Sequence, residues 1–215
     1  MLILEGGHVF KNPKTKEPLT QRINQADVVP TLQWLENIID VPLTGYTLGS
    51  TGKRATSGDL DIAVDETQYS KQDIMSSLAG WVSQNAPDAK ATDYIQKTGI
   101  TLHFKTPIKG DSANGYVQTD FMFGNPEFMI WSSQGEPEGK VTGQHRQILI
   151  NSIASAKGYA WSGFAGLTNR ATKEKTIEPV EITKILLGDE HSPDELASFP
   201  KILNAIKDNP DYEKL

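Results

Sequence analysis

Between Ser57 and Asp65 the chain reads SGDLDIAVD, and its alternation constrains the fold more than any other stretch. Period-2 spacing predicts a strand with Leu60, Ile62 and Val64 on one side and Asp59, Asp61 and Ala63 on the other. The apolar side demands a core. The acidic side sets two like charges close together, which is a cost unless something positive lies between them.

A second strand, YVQTDFMF, repeats the pattern, with Val117, Thr119, Phe121 and Phe123 inward and Gln118, Asp120 and Met122 outward. If it neighbours the first, Asp59, Asp61 and Asp120 converge on one sheet face. Hard oxygen ligands without His or Cys select Mg²⁺, with Mn²⁺ as a substitute, and two such ions are what a phosphoryl or nucleotidyl transfer site requires. The Gly49-Ser50 turn supplies backbone N–H groups and a hydroxyl toward a phosphate, and Lys53 and Arg54 supply charge. Ser57-Gly58 reads as a turn, Asp65 as a solvated strand end, and His103 and His145 as ordinary satisfied or exposed histidines.

The length, 215 residues with 37% hydrophobic content, suits one compact body or two small lobes sharing a cleft. There are no cysteines, which excludes disulfides, thiolate metal sites and cysteine nucleophiles. The N-terminal MLILEGG is too short for a signal-peptide core, and no segment reaches the length of a membrane span. The expectation is a soluble, cytoplasmic protein with no membrane association and no obligate protein partner. A net charge of −6 repels polyanions, so a nucleic acid has to be met by a local patch. The candidate patch runs from Lys140 to Lys175, where six basic residues (Lys140, Arg146, Lys157, Arg170, Lys173, Lys175) face one acid, Glu174. A solvated helix face with loops is the alternative reading of that segment.

The remaining elements form an α/β pattern. After Pro30, TLQWLENII places Leu32, Leu35 and Ile39 on one helical stripe that Pro42 ends, and a short strand is expected over Leu43 to Leu48. Ser70 to Asp73 begins a helix carrying Ile74, Leu78, Trp81 and Val82, and GITLHFK is a strand with Ile100, Leu102 and Phe104 inward. The rest reads as mainly helical. One helix ends at Gly158, another at Gly188, and a third starts at the capping box Ser192 to Glu195. The Pro/Gly-rich stretch around residues 124 to 140 marks a lobe boundary, giving domains 1–126 and 127–215.

Gly49-Ser50, eight residues, Asp59-Leu60-Asp61-Ile62, then Asp120 on its own apolar strand: together these resemble the signature of the DNA polymerase β-like nucleotidyltransferase superfamily, and Ser57 to Asp61 is closest to the family X polymerases. IASAKGYAWSGFAGLTNR and EITKILLGDEHSPDEL are similar to that family's thumb region, so the resemblance spans about Leu43 to Leu196. It implies an α+β fold: a nucleotidyltransferase palm with a mixed sheet flanked by helices, and a smaller, mainly helical thumb-like lobe. It also implies roles. Asp59 and Asp61 hold the metal bound to an NTP or dNTP, Asp120 joins them at a second metal or serves as a base, and Gly49, Ser50 and Arg54 cradle phosphates, with Lys53 a weaker candidate. Ser57 and Gly58 belong to the nucleotide-binding motif, and Trp131-Ser132-Ser133-Gln134-Gly135 is the nearest match to the turn that touches the sugar. Arg146, Gln147, Asn151, Lys157 and Arg170 are weaker nucleic-acid-binding candidates.

The departures are as informative as the matches. Only 48 residues precede Gly49, too few for the family's N-terminal lyase part, so gap binding and sugar-phosphate excision are not expected. Gln147 and Asn151 stand where the family places an asparagine facing the base pair and an arginine facing the template, which weakens the case for templated copying. The implied activity is Mg²⁺-dependent transfer of a nucleoside monophosphate to an acceptor hydroxyl at a DNA or RNA 3′ end, with release of pyrophosphate. Transfer to a small molecule or a protein, and a lapsed nucleotide- or nucleic-acid-binding protein of the same fold, remain the alternatives.

Overall fold

A computed structural model describes residues 9–134 and 143–207. The chain divides into two compact units, Met1–Pro126 and Glu127–Leu215. Gly135 and Lys140, both named above, lie outside the described residues, as does the N-terminal apolar run.

The first unit contains β1 (Ile23–Asn24), α1 (Gln25–Ile39), β2 (Thr56–Ser57), β3 (Asp59–Asp65), α2 (Lys71–Asn85), β4 (Ile95–Thr98), β5 (Thr101–Pro107) and β6 (Tyr116–Gly124). Four of these strands form a mixed sheet in the order β3-β6-β5-β4. β3 runs parallel to β6, and the other two pairings are antiparallel. The alternation in the sequence explains the layering. Leu60, Ile62, Val64, Leu102, Phe104, Val117, Phe121 and Phe123 share one buried cluster with Leu32 and Leu35 of α1 and Ile74, Leu78 and Val82 of α2. Each fully buried side chain of this kind stabilises the fold by about 1.5–3 kcal/mol. With its apolar face committed to the helices, the sheet turns Asp59, Asp61, Gln118, Asp120 and His103 to the other side.

Several local expectations are met and others corrected. Ser70 caps α2, its hydroxyl accepting the Asp73 N–H at 3.1 Å. Helix α1 begins at Gln25, not after Pro30, and runs through the proline. Proline removes only one helical N–H, and Thr31 adds a bond from its hydroxyl to the Asp27 carbonyl at 2.7 Å. Leu43 to Leu48 is not a strand: it makes one isolated bridge, Thr47 to Ile62. Ile100 is exposed in the β4–β5 turn, so only Leu102 and Phe104 of its stripe are core.

In the second unit, α3 (Pro126–Ser132), α4 (Gly143–Ala156), α5 (Pro179–Leu186) and α6 (Phe199–Ile206) accompany a three-stranded antiparallel sheet of β7 (Tyr159–Ser162), β8 (Gly166–Asn169) and β9 (Lys175–Thr176). That sheet qualifies the expectation of a mainly helical lobe. Gly166 is required where it stands: at φ +85 a Cβ would lie 2.2 Å from the Thr176 carbonyl oxygen. The box at Ser192 opens a single 3₁₀ turn, Pro193–Leu196, and the α-helix starts later, with Ser198 as its cap. Among the described residues no helix is long and apolar enough to cross a membrane.

Candidate metal centre

The parallel pairing of β3 with β6 sets Asp61 directly beside Asp120, and Asp59 beside Gln118. One carboxylate oxygen from each of Asp59, Asp61 and Asp120 lies within 4.8 Å of the others. Asp120 is buried and the two β3 aspartates are half-buried. An all-oxygen, acidic donor set of this size fits a hard divalent cation, Mg²⁺ or Mn²⁺, and offers no soft ligand for zinc or copper.

Asp120 is anchored from two directions. His103 of β5 is its direct antiparallel partner, and His103 Nδ1 lies 2.8 Å from Asp120 Oδ1. Gln118 donates from Nε2 to Asp120 Oδ2 at 3.2 Å while its Oε1 accepts the Val9 N–H at 2.9 Å. The second bond fixes the amide's orientation, so the nitrogen is the end that faces the carboxylate. His103, read from sequence as an ordinary histidine, is thus buried against a candidate ligand. Its alternation with Leu102 and Phe104 places it on the polar face, but only the β5–β6 register reveals Asp120 opposite.

The loop before β3 is tied to the acidic strand by backbone. Leu48 donates to the Asp61 carbonyl at 2.8 Å, and Asp61 N–H donates to the Thr51 hydroxyl at 3.1 Å. Gly49 and Gly52 adopt left-handed backbone, φ +55 and +69, which lets the loop turn tightly beside the carboxylates. Ser50, Lys53 and Arg54 are exposed on this loop. Ser57 is buried, and its hydroxyl accepts the Gly52 N–H at 3.1 Å, so it closes the loop instead of facing outward. Arg22 comes near the same corner: its Nη1 would lie 3.3 Å from a Cβ at Gly58, and its guanidinium holds Thr56 at 2.9 Å through both the hydroxyl and the carbonyl. Sequence reading named neither Arg22 nor Thr51. Asp65 is the half-buried last residue of β3, where hydrogen bonds from Thr67, then Gln68, hold its carboxyl below the ordinary range.

In the second unit the candidates of sequence reading fare differently. Arg146, proposed for a nucleic-acid surface, is wholly buried. Its Nε donates to the Leu196 carbonyl at 2.5 Å and its Nη1 to the Ser132 carbonyl, with the Trp131 ring centroid 5.8 Å away. Burial pushes the guanidinium down to about 10. Gln147 bridges the Ser132 carbonyl and the Trp161 indole N–H, at 2.5 and 2.6 Å. Ser132 is also buried, donating to the Gly163 carbonyl at 2.5 Å. Arg146 and Ser132 are therefore committed to the unit's interior, while Gln147 is half-buried with its amide engaged at both ends. Asn151, Lys157 and Arg170 stay exposed, with Lys157 capping the Ile185 carbonyl and Arg170 the Tyr159 carbonyl.

No protein-family model matches the chain. A search of curated proteins likewise finds no match. Among solved structures the chain is similar to a DNA polymerase β of Leishmania infantum crystallised as a ternary P/T complex, at 11% identity and a TM-score of 0.45 over 82% of this chain and 77% of that one.

Proposed function

We propose that the chain is a divalent-metal-dependent nucleotidyltransferase. It moves a nucleoside monophosphate from an NTP or dNTP to an acceptor hydroxyl at a nucleic-acid 3′ end. The single observation that carries this reading is the set of three aspartates on adjacent strands, whose oxygens lie within 4.8 Å of one another beside a glycine-containing loop.

Asp59, Asp61 and Asp120 would hold Mg²⁺, two ions in the full reading, and the metal when bound supplies charge neutralisation on the phosphates and a more acidic acceptor hydroxyl. Asp120, held by His103 and Gln118, presents its carboxylate in one orientation. The Gly49-Ser50 turn and Arg54 would take the β and γ phosphates, with Lys53 adding charge from solvent. The acceptor oxygen forms its bond to the α-phosphorus as the bond to the bridging oxygen breaks. Pyrophosphate leaves, and the hydroxyl proton passes to solvent.

The burial of Arg146 favours a second reading, in which the hydroxyl belongs to a small molecule or a protein, because it withdraws one cation from the segment expected to hold nucleic acid.

The test is pyrophosphate release and label transfer from α-labelled nucleotides in Mg²⁺. Acceptors are a single-stranded primer, a primer on a template, a set of small hydroxyl compounds and proteins, and water alone as the hydrolysis control. Extension of the primer supports the first reading, and label on a small-molecule or protein acceptor without extension supports the second. No release with any nucleotide or acceptor overturns the assignment of transferase activity.

A further inference from the structure

A carboxylate accepts hydrogen bonds and donates none, so the 2.8 Å contact between His103 Nδ1 and Asp120 Oδ1 requires the imidazole proton on Nδ1. His103 Nε2 is buried and has no hydrogen-bond partner among the described residues, so Nδ1 makes the ring's one polar contact there. The ring is 7% exposed on the polar face of β5, directly opposite Asp120 in the β5–β6 register, so burial and pairing together keep it against the carboxylate. On the other oxygen, Gln118 is itself held by the Val9 N–H. Asp120 is thereby clamped at both oxygens by side chains that do not themselves belong to the three-carboxylate cluster.

Resting on the metal-centre reading above, we propose that His103 is a positioning residue. Its Nδ1–H fixes the rotamer of Asp120, so that the remaining lone pairs of that carboxylate meet a cation shared with Asp61 at no further ordering cost. Outer partners of metal-ligating carboxylates typically carry ten- to a hundredfold of metal affinity. A histidine held only for packing would carry none.

The experiment is Mn²⁺ titration of the full chain, followed by calorimetry and by the electron-paramagnetic signal of free Mn²⁺, with circular dichroism as the check on folding. Three variants separate geometry from bulk. His103→Asn places an amide N–H where Nδ1 stands, His103→Gln places it near Nε2, and His103→Leu removes it. The expected result is wild-type Mn²⁺ affinity within about threefold for His103→Asn, and a ten- to hundredfold loss for His103→Gln and His103→Leu in folded protein. Equal affinity in wild type and a folded His103→Leu overturns the proposal. If the leucine variant does not fold, the Asn and Gln pair decides, and equal affinities for those two overturn it as well. Wild-type protein that binds no Mn²⁺ overturns the metal centre itself and this proposal with it, whereas failure confined to the variants leaves the centre standing.

Discussion

Asp61 and Asp120 are lateral neighbours across the parallel β3–β6 pairing, and with Asp59 they bring three carboxylates within 4.8 Å. A cation that binds this cluster in the folded state but not in the unfolded chain must raise stability, by roughly 2.7 kcal/mol at a hundredfold excess over its Kd. Mn²⁺ is therefore expected to raise the melting temperature of the wild type. Asp59→Asn, Asp61→Asn and Asp120→Asn should each remain folded and lose that increment, together with nucleotide transfer. Scanning calorimetry with and without Mn²⁺ checks it, and one Asn variant that kept the full metal-dependent rise would remove its residue from the cluster.

Thr51 joins the loop to the acidic strand, its buried hydroxyl accepting the Asp61 N–H at 3.1 Å. Thr51→Val keeps the shape and deletes the acceptor, leaving a backbone donor unmet at a cost of about 1–3 kcal/mol. Thr51→Ser should recover most of it. Urea unfolding midpoints measure the difference, and a valine variant as stable as the wild type would mean that the N–H finds another partner.

How much of this was legible beforehand depended on the range of the signal. β3 and β6 were readable because seven to nine residues of alternation are hard to produce by accident, and the three aspartates followed from their parity. Their adjacency was not, because strand order is decided by residues far apart in sequence. β4 and β7 to β9 are two to four residues long, too short to show a period, and β8 opens on a glycine. Leu43 to Leu48 has the composition of a strand, yet Leu43 and Thr44 give their N–H groups to the Glu36 carboxylate, and only Thr47 pairs with β3. Arg146 was misplaced because a count of charges carries no information on burial.

The same Glu36 contact makes a pH prediction. Burial raises the Glu36 carboxyl, but N–H bonds from Thr44 and Leu43, at 2.6 and 2.7 Å, outweigh it and hold the group below its ordinary 4.5. A carboxyl depressed in the folded state contributes stability that is present above its unfolded pKa and is lost as the pH falls through the folded one. Glu36→Gln keeps an acceptor without the charge. The stability gap between wild type and variant should thus be widest at neutral pH and narrow as the pH falls below that ordinary 4.5 toward the depressed folded value. Denaturation at several pH values between 3 and 7, on a scale of roughly one unit per step, checks the sign, and a gap that widens in acid would show that the N–H bonds do not favour the charged form.

Arg146 decides between interior strut and nucleic-acid contact. Its guanidinium is wholly buried and serves the Ser132 and Leu196 carbonyls, so Arg146→Met leaves the Leu196 carbonyl unmet, at about 1–3 kcal/mol, and the Ser132 carbonyl with Gln147 alone, against the relief of no longer desolvating a cation. The orphaned Leu196 carbonyl and the lost bond to Ser132 outweigh that relief, because a methionine gives them nothing, and the variant should melt lower. Arg146→Lys should fall between. Phosphate contacts behave otherwise: each one lost reduces the slope of log affinity against log salt by about one. Lys157→Ala and Arg170→Ala remove exposed cations and should flatten the slope for single-stranded DNA while barely moving the melting temperature, whereas Arg146→Met should lower melting and leave the slope unchanged in protein that is still folded. Fluorescence anisotropy at several salt concentrations, paired with thermal melts, reads both quantities. A slope that falls by one in a folded Arg146→Met variant would return that arginine to the nucleic-acid surface and contradict its place in the interior.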